Sequence, residues 1–238
     1  MPASSFSAQP PDNVDLAIAM CQGPDALSQL AAINEAGALT INSALAIRNC
    51  YRDLLGAGLM RAGVPTPDGA LLRTSSPLDL KSLRVLDVTA PIYVKRGNLH
   101  ALGPDDVRQV RGLSQLEETL VDFARRGVES VYAQQGVAGA LVKFYGVSDE
   151  YFCAIREDGD PLEEGVELRL ERASRTAAAA LGLEVWGGDA IVNGQSCTII
   201  DFNDWPSFER VRAQASSAIA RRCLRLLRQH PIARSAII

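Results

Sequence analysis

The chain has 238 residues and 47% hydrophobic content, enough for one large or two small domains with a sizeable core. A net charge of −4 and a pI near 5.3 exclude a general nucleic-acid binder, which carries a basic excess, and no apolar run approaches the ~18 residues that span a bilayer. The N-terminus MPASSFSAQPPDN lacks the basic start and apolar centre of a secretory signal, so the expectation is a cytoplasmic protein with no membrane and no nucleic-acid partner, its oligomeric state left open.

In chain order, residues 1–12 read as a Pro/Ser-rich tail. VDLAIAMC is expected as a strand, PDALSQLAAINEAG as a helix closed by Gly37, ALTIN as a strand and SALAIRNCYRDLLGAGLMRAG as one longer helix stopping before VPTP. That β-α-β-α order predicts a parallel sheet. Strands follow around GALLRT, LRVLDV and IYVKR, then DDVRQVRGLSQLEETLVDFARRG as helix. YFCAIR is a further strand, ELRLERASRTAAAALGL an Ala-rich helix, and SFERVRAQASSAIARRCLRLLRQH a basic amphipathic helix whose arginines read as a solvated face or as carboxylate partners. Cys21, Cys50, Cys153, Cys197 and Cys223 are odd in number, widely spaced and mostly in apolar stretches, and read as small buried hydrophobes.

CTIIDFNDWPSF carries the chemistry. Residues i and i+2 of a strand share a face, so Asp201 and Asn203 present a carboxylate and an amide oxygen side by side, a donor set suited to Mg²⁺ that keeps other positions for water and phosphates. A solvated Asp in a strand running into an Asx turn is the plain alternative. Upstream, EVWGGDAIVNGQ forms a hairpin with this strand. A strict two-residue Asn193-Gly194 turn would put Asp189 on the face opposite Asp201, whereas a three-residue loop or one bulge, with Val192 opposite Ser196, would join Asp189, Asp201 and Asn203. The second register is the one favoured, because it gathers the polar residues.

LGLEVWGGDAIVNGQSCTIIDFNDWPSF resembles the C-terminal metal-binding segment of the ATP-grasp superfamily. SVYAQQGVAGALVKFYGV is similar to its hinge strand and the strand after it, closest to the glutamate-ligase and inositol polyphosphate kinase types, and APIYVKRG to the strand bearing a phosphate-binding lysine. Lys81, Lys95 and Lys143 are the only lysines in the chain, and two of them end apolar strands at these places. The resemblance implies an α/β fold with α+β lobes, two of which enclose a nucleotide. It divides the chain into a shortened Rossmann-like piece over 13–64, a small lobe over 65–129 and a large lobe with the metal site over 130–238.

The same resemblance implies ATP and Mg as cofactors. Asp189, Asp201 and Asn203 would hold the metal, and Lys95, Lys143, His100, Gln134, Gln135, Gly136 and Val137 the nucleotide. Arg156 and Lys143 would act on the transferred phosphate. His100 stands in RGNLHALGPDD, where relatives have a glycine-rich phosphate loop. The implied reaction is an ADP-forming carboxylate–amine ligase working on a small-molecule or peptide substrate, anionic character included. A hydroxyl kinase and a nucleotide-binding module without turnover remain alternatives.

Overall fold

The computed structural model describes residues 14–79, 81–97 and 103–230. The N-terminal part runs β1 (Leu16–Ile18), α1 (Pro24–Glu35), β2 (Leu39–Ile41), α2 (Ala44–Asn49) and α3 (Arg52–Arg61), with β1 and β2 paired in parallel as the β-α-β order requires. The single long helix expected after β2 is broken at Tyr51, whose backbone is extended. Its hydroxyl accepts a hydrogen bond from the Gly23 amide at 2.9 Å while its ring packs among Leu27, Leu30 and Ile47, and the Arg48–Asp53 fork (2.8 and 2.7 Å) clips the two helices across the break.

Asn42, fully buried, fastens this part to the rest of the chain. Its amide donates to the carbonyls of Val185 and Asp204 and accepts from the amides of Glu184 and Val185, so a polar group in the core has its hydrogen bonds satisfied.

Next comes an antiparallel sheet in the order β3-β6-β4-β5, built from β3 (Gly69–Arg73), β4 (Ile92–Arg96), β5 (Val107–Val110) and β6 (Ser130–Gln135), and backed by α4 (Gly112–Arg125). Two expectations are corrected here. LRVLDV is a 3-10 turn over Ser82–Val85 followed by an extended residue; Leu83 and Leu86 pack inward three residues apart while Val85 stays exposed, a short apolar pattern that imitates a strand. VRQV, read as the start of a helix, is the edge strand β5, and Gly112, at φ 82°, makes the left-handed step that separates it from α4.

The second sheet has the order β10-β9-β7-β8, from β7 (Ala140–Val147), β8 (Tyr151–Arg156), β9 (Val185–Asn193) and β10 (Ser196–Asn203), all antiparallel. Helix α5 (Glu164–Leu181) covers one face, burying Val166, Leu170, Ala177 and Leu181 against Val142, Phe144, Ala190 and Ile199, with Leu55 and Leu59 of α3 in the same core. The start of α6 (Arg212–Gln229) packs on the other face, where Val211 and Ala215 meet Tyr145. The expected lobe boundary at 129/130 moves: β6 pairs with β3 and β4 in the first sheet, so the crossing between sheets is the segment Gly136–Gly139. Sequence grouped β6 with β7 because the two read as one continuous motif.

Candidate functional site

Register decides the site. In the β9–β10 hairpin Ser196 pairs with Asn193 across a two-residue Gly194-Gln195 loop, and Val192 pairs with Cys197 rather than with Ser196 as expected. Left uncorrected, that register would set Asp189 opposite Ile200 and turn Asp201 to the wrong face. A bulge at Ile200 shifts the pairing by one, so Asp201 lies opposite Asp189. On the other side of β9, Asp189 lies opposite Lys143 of β7, so three charged side chains form one row across the sheet. One row further on, Asn203, Gly187 and Tyr145 are aligned in the same way. The expected triad of Asp189, Asp201 and Asn203 therefore shares one face.

Two glycines make the row possible. A Cβ at Gly188 would fall 2.2 Å from the Asp201 carbonyl oxygen and 2.6 Å from Phe144, and one at Gly187 would fall 2.6 Å from Pro206, which lies over it. Gly188→Ala is expected to cost about 1–3 kcal/mol by overpacking and to push the bulged strand outward. Denaturant unfolding of the variant would check the first effect.

Lys95 links the two sheets. Its ammonium donates to Gln134 Oε1 at 2.7 Å and to the carbonyl of Ile200, the bulged residue, at 2.8 Å. The bulge therefore brings Asp201 onto the face while its freed carbonyl receives the lysine. Lys95 is only 6% exposed, and burial pushes its pKa below the ordinary 10.5, partly offset by the negative charges of Asp201 and Asp189 and aided by the nearby Arg52.

Arg52, also buried, was not anticipated. Its Nη2 sits 3.0 Å from Asp201 Oδ2, and with Lys95, Gln134, Ile200 and Asp201 it lines one narrow cavity between the sheets. The signal was present in α3: Arg52 occupies the apolar stripe shared with Leu55, Gly56 and Leu59, and a charge on such a stripe requires a buried partner.

Lys143 Nζ donates to Asp189 Oδ1 at 2.9 Å and lies 4.0 Å from Glu157. Burial lowers its pKa, but the hydrogen bond and the carboxylate charges outweigh that and hold it above its usual value. Each of the two carboxylates thus already faces a cation, Asp201 with Arg52 and Asp189 with Lys143. Two carboxylates and an amide on one face form a hard-oxygen set that fits Mg²⁺. No cluster of three or more His, Cys, Asp or Glu side chains with metal-binding geometry occurs among the described residues.

At the crossing, the amide of Gln135 donates to Asp68 O and that of Gly136 to Pro91 O, both at 2.8 Å, and the Gln135 side chain is turned outward to Asp87 and Pro91. The amides of Gln135 and Gly136 are thus already paired, whereas Val137 makes no backbone hydrogen bond among the described residues. Arg156 is not brought to the others. It pairs with Val142, whose side chain is in the α5-facing core, and its guanidinium is held by Asp158 at 2.9 Å. His100 lies outside the described residues.

The sequence matches no protein-family model and no curated protein. Solved structures do match. A D-alanine–D-alanine ligase from Bacillus anthracis superposes with a TM-score of 0.70 at 15% identity, over 92% of this chain and 82% of that one. The corresponding ligase from Coxiella burnetii gives 0.69 at 14% identity, over 92% and 74%. The ATP-grasp ligase PsnB, solved with its precursor peptide PsnA2 and AMPPNP, gives 0.57 at 20% identity, over 82% of this chain and 65% of that one. Among the described residues no helix is long and apolar enough to cross a membrane.

Proposed function

We propose that this chain, which has the ATP-grasp fold, binds MgATP between its two sheets and joins a carboxylate to an amine with release of ADP and phosphate. The observation that carries this reading is the meeting of Lys95 from one sheet with Ile200 and Asp201 at the edge of the other and with Arg52 of α3. Lys95, Arg52 and Lys143 bring three cations to one place, and ammonium and guanidinium groups are the partners polyphosphate oxygens take. The ligases among the matching structures, one solved with ATP and another with a nucleotide analogue and a peptide, support a carboxylate acceptor.

In this reading Lys95 and Arg52 hold the phosphates on the β4 side, and Val137 offers its backbone to the adenine. Lys143 turns from Asp189 towards the transferred phosphate and stabilises its charge. Asp189, Asp201 and Asn203 would hold Mg²⁺, which when bound neutralises the phosphate oxygens. The substrate carboxylate oxygen attacks the γ-phosphorus and ADP leaves; the amine nitrogen then attacks the acyl carbon and inorganic phosphate leaves with the acyl-phosphate bond broken. Arg156, held by Asp158, has no part in that set.

MgATP is expected to raise the melting temperature more than ATP with chelator, since a ligand that binds only the native state stabilises it by mass action. At a hundred times Kd the gain is about 2.7 kcal/mol. No shift at millimolar MgATP would count against the reading. Release of ADP with pooled carboxylates, scored for dependence on an added amine, separates ligase from hydroxyl kinase.

A further inference from the structure

A cleft of about 340 Å³ lies at the C-terminal end of α5, walled by Ser148, Arg175, Ala179, Leu183, Glu184 and Trp186. Trp186 and Asp189 are three residues apart on β9 and so point to opposite faces; Trp186 packs with Phe144 and Ala190 in the core under α5. The sheet therefore separates this cleft from the candidate metal site. Its size falls at the lower end of the roughly 300–1,000 Å³ taken by small-ligand sites.

Trp186 is 2% exposed, yet its Nε1–H has no hydrogen-bond partner among the described residues. A buried indole N–H ordinarily finds an acceptor, because one left unmade costs its desolvation. Gly146 on the adjacent β7 sets that edge of the ring: a Cβ there would fall 2.4 Å from Nε1 and 2.2 Å from Cε2, so the indole rests directly on the strand. The neighbouring wall is equally fixed. Ser148 has φ 32°, an uncommon backbone for a residue with a Cβ; its amide donates to Glu184 O at 2.8 Å, and its carbonyl accepts from Arg175 Nη1. Each charged side chain around the cleft has an opposite charge beside it: Arg175 is 2.8 Å from Glu171, Glu184 is 2.6 Å from Arg222, and Asp149 is 4.0 Å from Arg225. What the cleft offers a ligand is the indole N–H, the Ser148 hydroxyl and the apolar surface of Ala178, Ala179 and Leu183.

We propose that this cleft binds a neutral amide, either a free carboxamide or the peptide unit of a chain, whose carbonyl oxygen accepts from Trp186 Nε1 and whose N–H donates to the Ser148 hydroxyl. An indole is a donor only, so the occupant must bring an acceptor, while a hydroxyl takes either role and can receive an N–H. The paired charges leave no counter-charge for a carboxylate or an ammonium, whose desolvation would then go uncompensated. The alanines and Leu183 suit a small apolar group beside the amide. The proposal does not depend on the ligase reading, since the two sites lie on opposite faces of the sheet.

The test follows the indole proton itself. The chain has two tryptophans, so ¹⁵N-labelled full-length protein gives two indole N–H signals, and either Trp186→Phe or Trp205→Phe assigns them. Isobutyramide, N-acetylalaninamide and N-acetyl-trialaninamide are titrated beside isobutyrate, isobutylamine and methyl isobutyrate, which keep the shape but carry a charge or lack the N–H. At least one amide should move the Trp186 signal saturably, and the three controls should move it less; a response to isobutyramide marks a free carboxamide ligand, and one to the blocked peptides alone marks a peptide unit. Ser148→Ala should weaken the amide roughly two- to tenfold, the scale of one net hydrogen bond. Ala179→Leu, at an exposed helix position on the cleft wall, should fill the space and abolish the response while the protein stays folded. A Trp186 signal that no amide moves, an equal response to isobutyrate or isobutylamine, or an undiminished response in Ala179→Leu would overturn the proposal. No nucleotide is needed, so the result stands apart from that of the MgATP test above.

Discussion

Asp201→Asn is expected to remove the Mg²⁺ dependence of ATP stabilisation and to lower ADP release by at least about a hundredfold, the scale seen when one preorganised electrostatic contact to a transition state is lost. The structure adds a cost that the strand pattern does not show. Asp201 Oδ2 is 3.0 Å from Arg52 Nη2, and the arginine side chain is 5% exposed. Neutralising Asp201 removes the carboxylate charge 3.0 Å from that guanidinium. Removing one partner of a fully buried pair costs about 3–5 kcal/mol. Here about 2 kcal/mol is expected, since the Asp201 side chain is 18% exposed and the amide oxygen of Asn still accepts a hydrogen bond.

The stability and binding effects separate in a double variant. Arg52→Met with Asp201→Asn should recover part of the lost unfolding free energy, because the buried guanidinium charge is gone, while Mg²⁺-dependent ATP binding stays absent. Denaturant unfolding and thermal shift on both variants would measure the two effects independently. ADP release or a Mg²⁺-dependent shift at the wild-type level in a folded Asp201→Asn variant would overturn the metal assignment.

The fold was legible wherever side-chain periodicity was long. Strands β6, β7, β9 and β10 and helices α1 and α5 stand where their apolar patterns put them, because each buries a row of side chains. Short segments failed for a physical reason: over four residues, as in LRVLDV and VRQV, a 3-10 turn and an edge strand offer the same few apolar side chains. The hairpin shows a different limit. Residue types around Asn193 and Gly194 announce a turn, but the position of the loop and the bulge at Ile200 depend on the sheets meeting at Lys95, a contact 105 residues away in sequence. Arg52 was hidden for the same reason, since its partner lies 149 residues on. Arg156 illustrates the converse: a strand-end arginine reads as available from sequence, yet the turn after β8 supplies Asp158 to hold it.

Lys95→Met provides the sharpest distinction between a phosphate ligand and a structural bridge between sheets. Without nucleotide, the substitution removes the donor to Gln134 Oε1 and Ile200 O, each loss worth about 1–3 kcal/mol where the acceptor stays buried. Against this stands the relief of a buried ammonium whose pKa is lowered by desolvation. The two terms oppose each other, so the net change in unfolding free energy should be small, within about 2 kcal/mol. Its pH dependence is diagnostic. Between the lowered folded pKa and the ordinary 10.5, the unfolded chain holds the lysine proton more often than the folded one. Through that window Lys95 therefore makes stability rise with pH, and Lys95→Met should lose the rise. With MgATP the effects no longer oppose each other, because an ammonium aimed at phosphate oxygens contributes a charge-assisted hydrogen bond that methionine cannot. ATP affinity should fall roughly ten- to a hundredfold. Lys95→Arg should fare no better, since a bulkier planar guanidinium does not fit the narrow cavity that Gln134 and Ile200 line. Lys81→Arg, on an exposed turn, should change neither stability nor affinity. Wild-type ATP affinity in Lys95→Met would make the lysine a bridge between sheets and nothing more, and the nucleotide would then have to be held from the Asp189–Asp201 side alone.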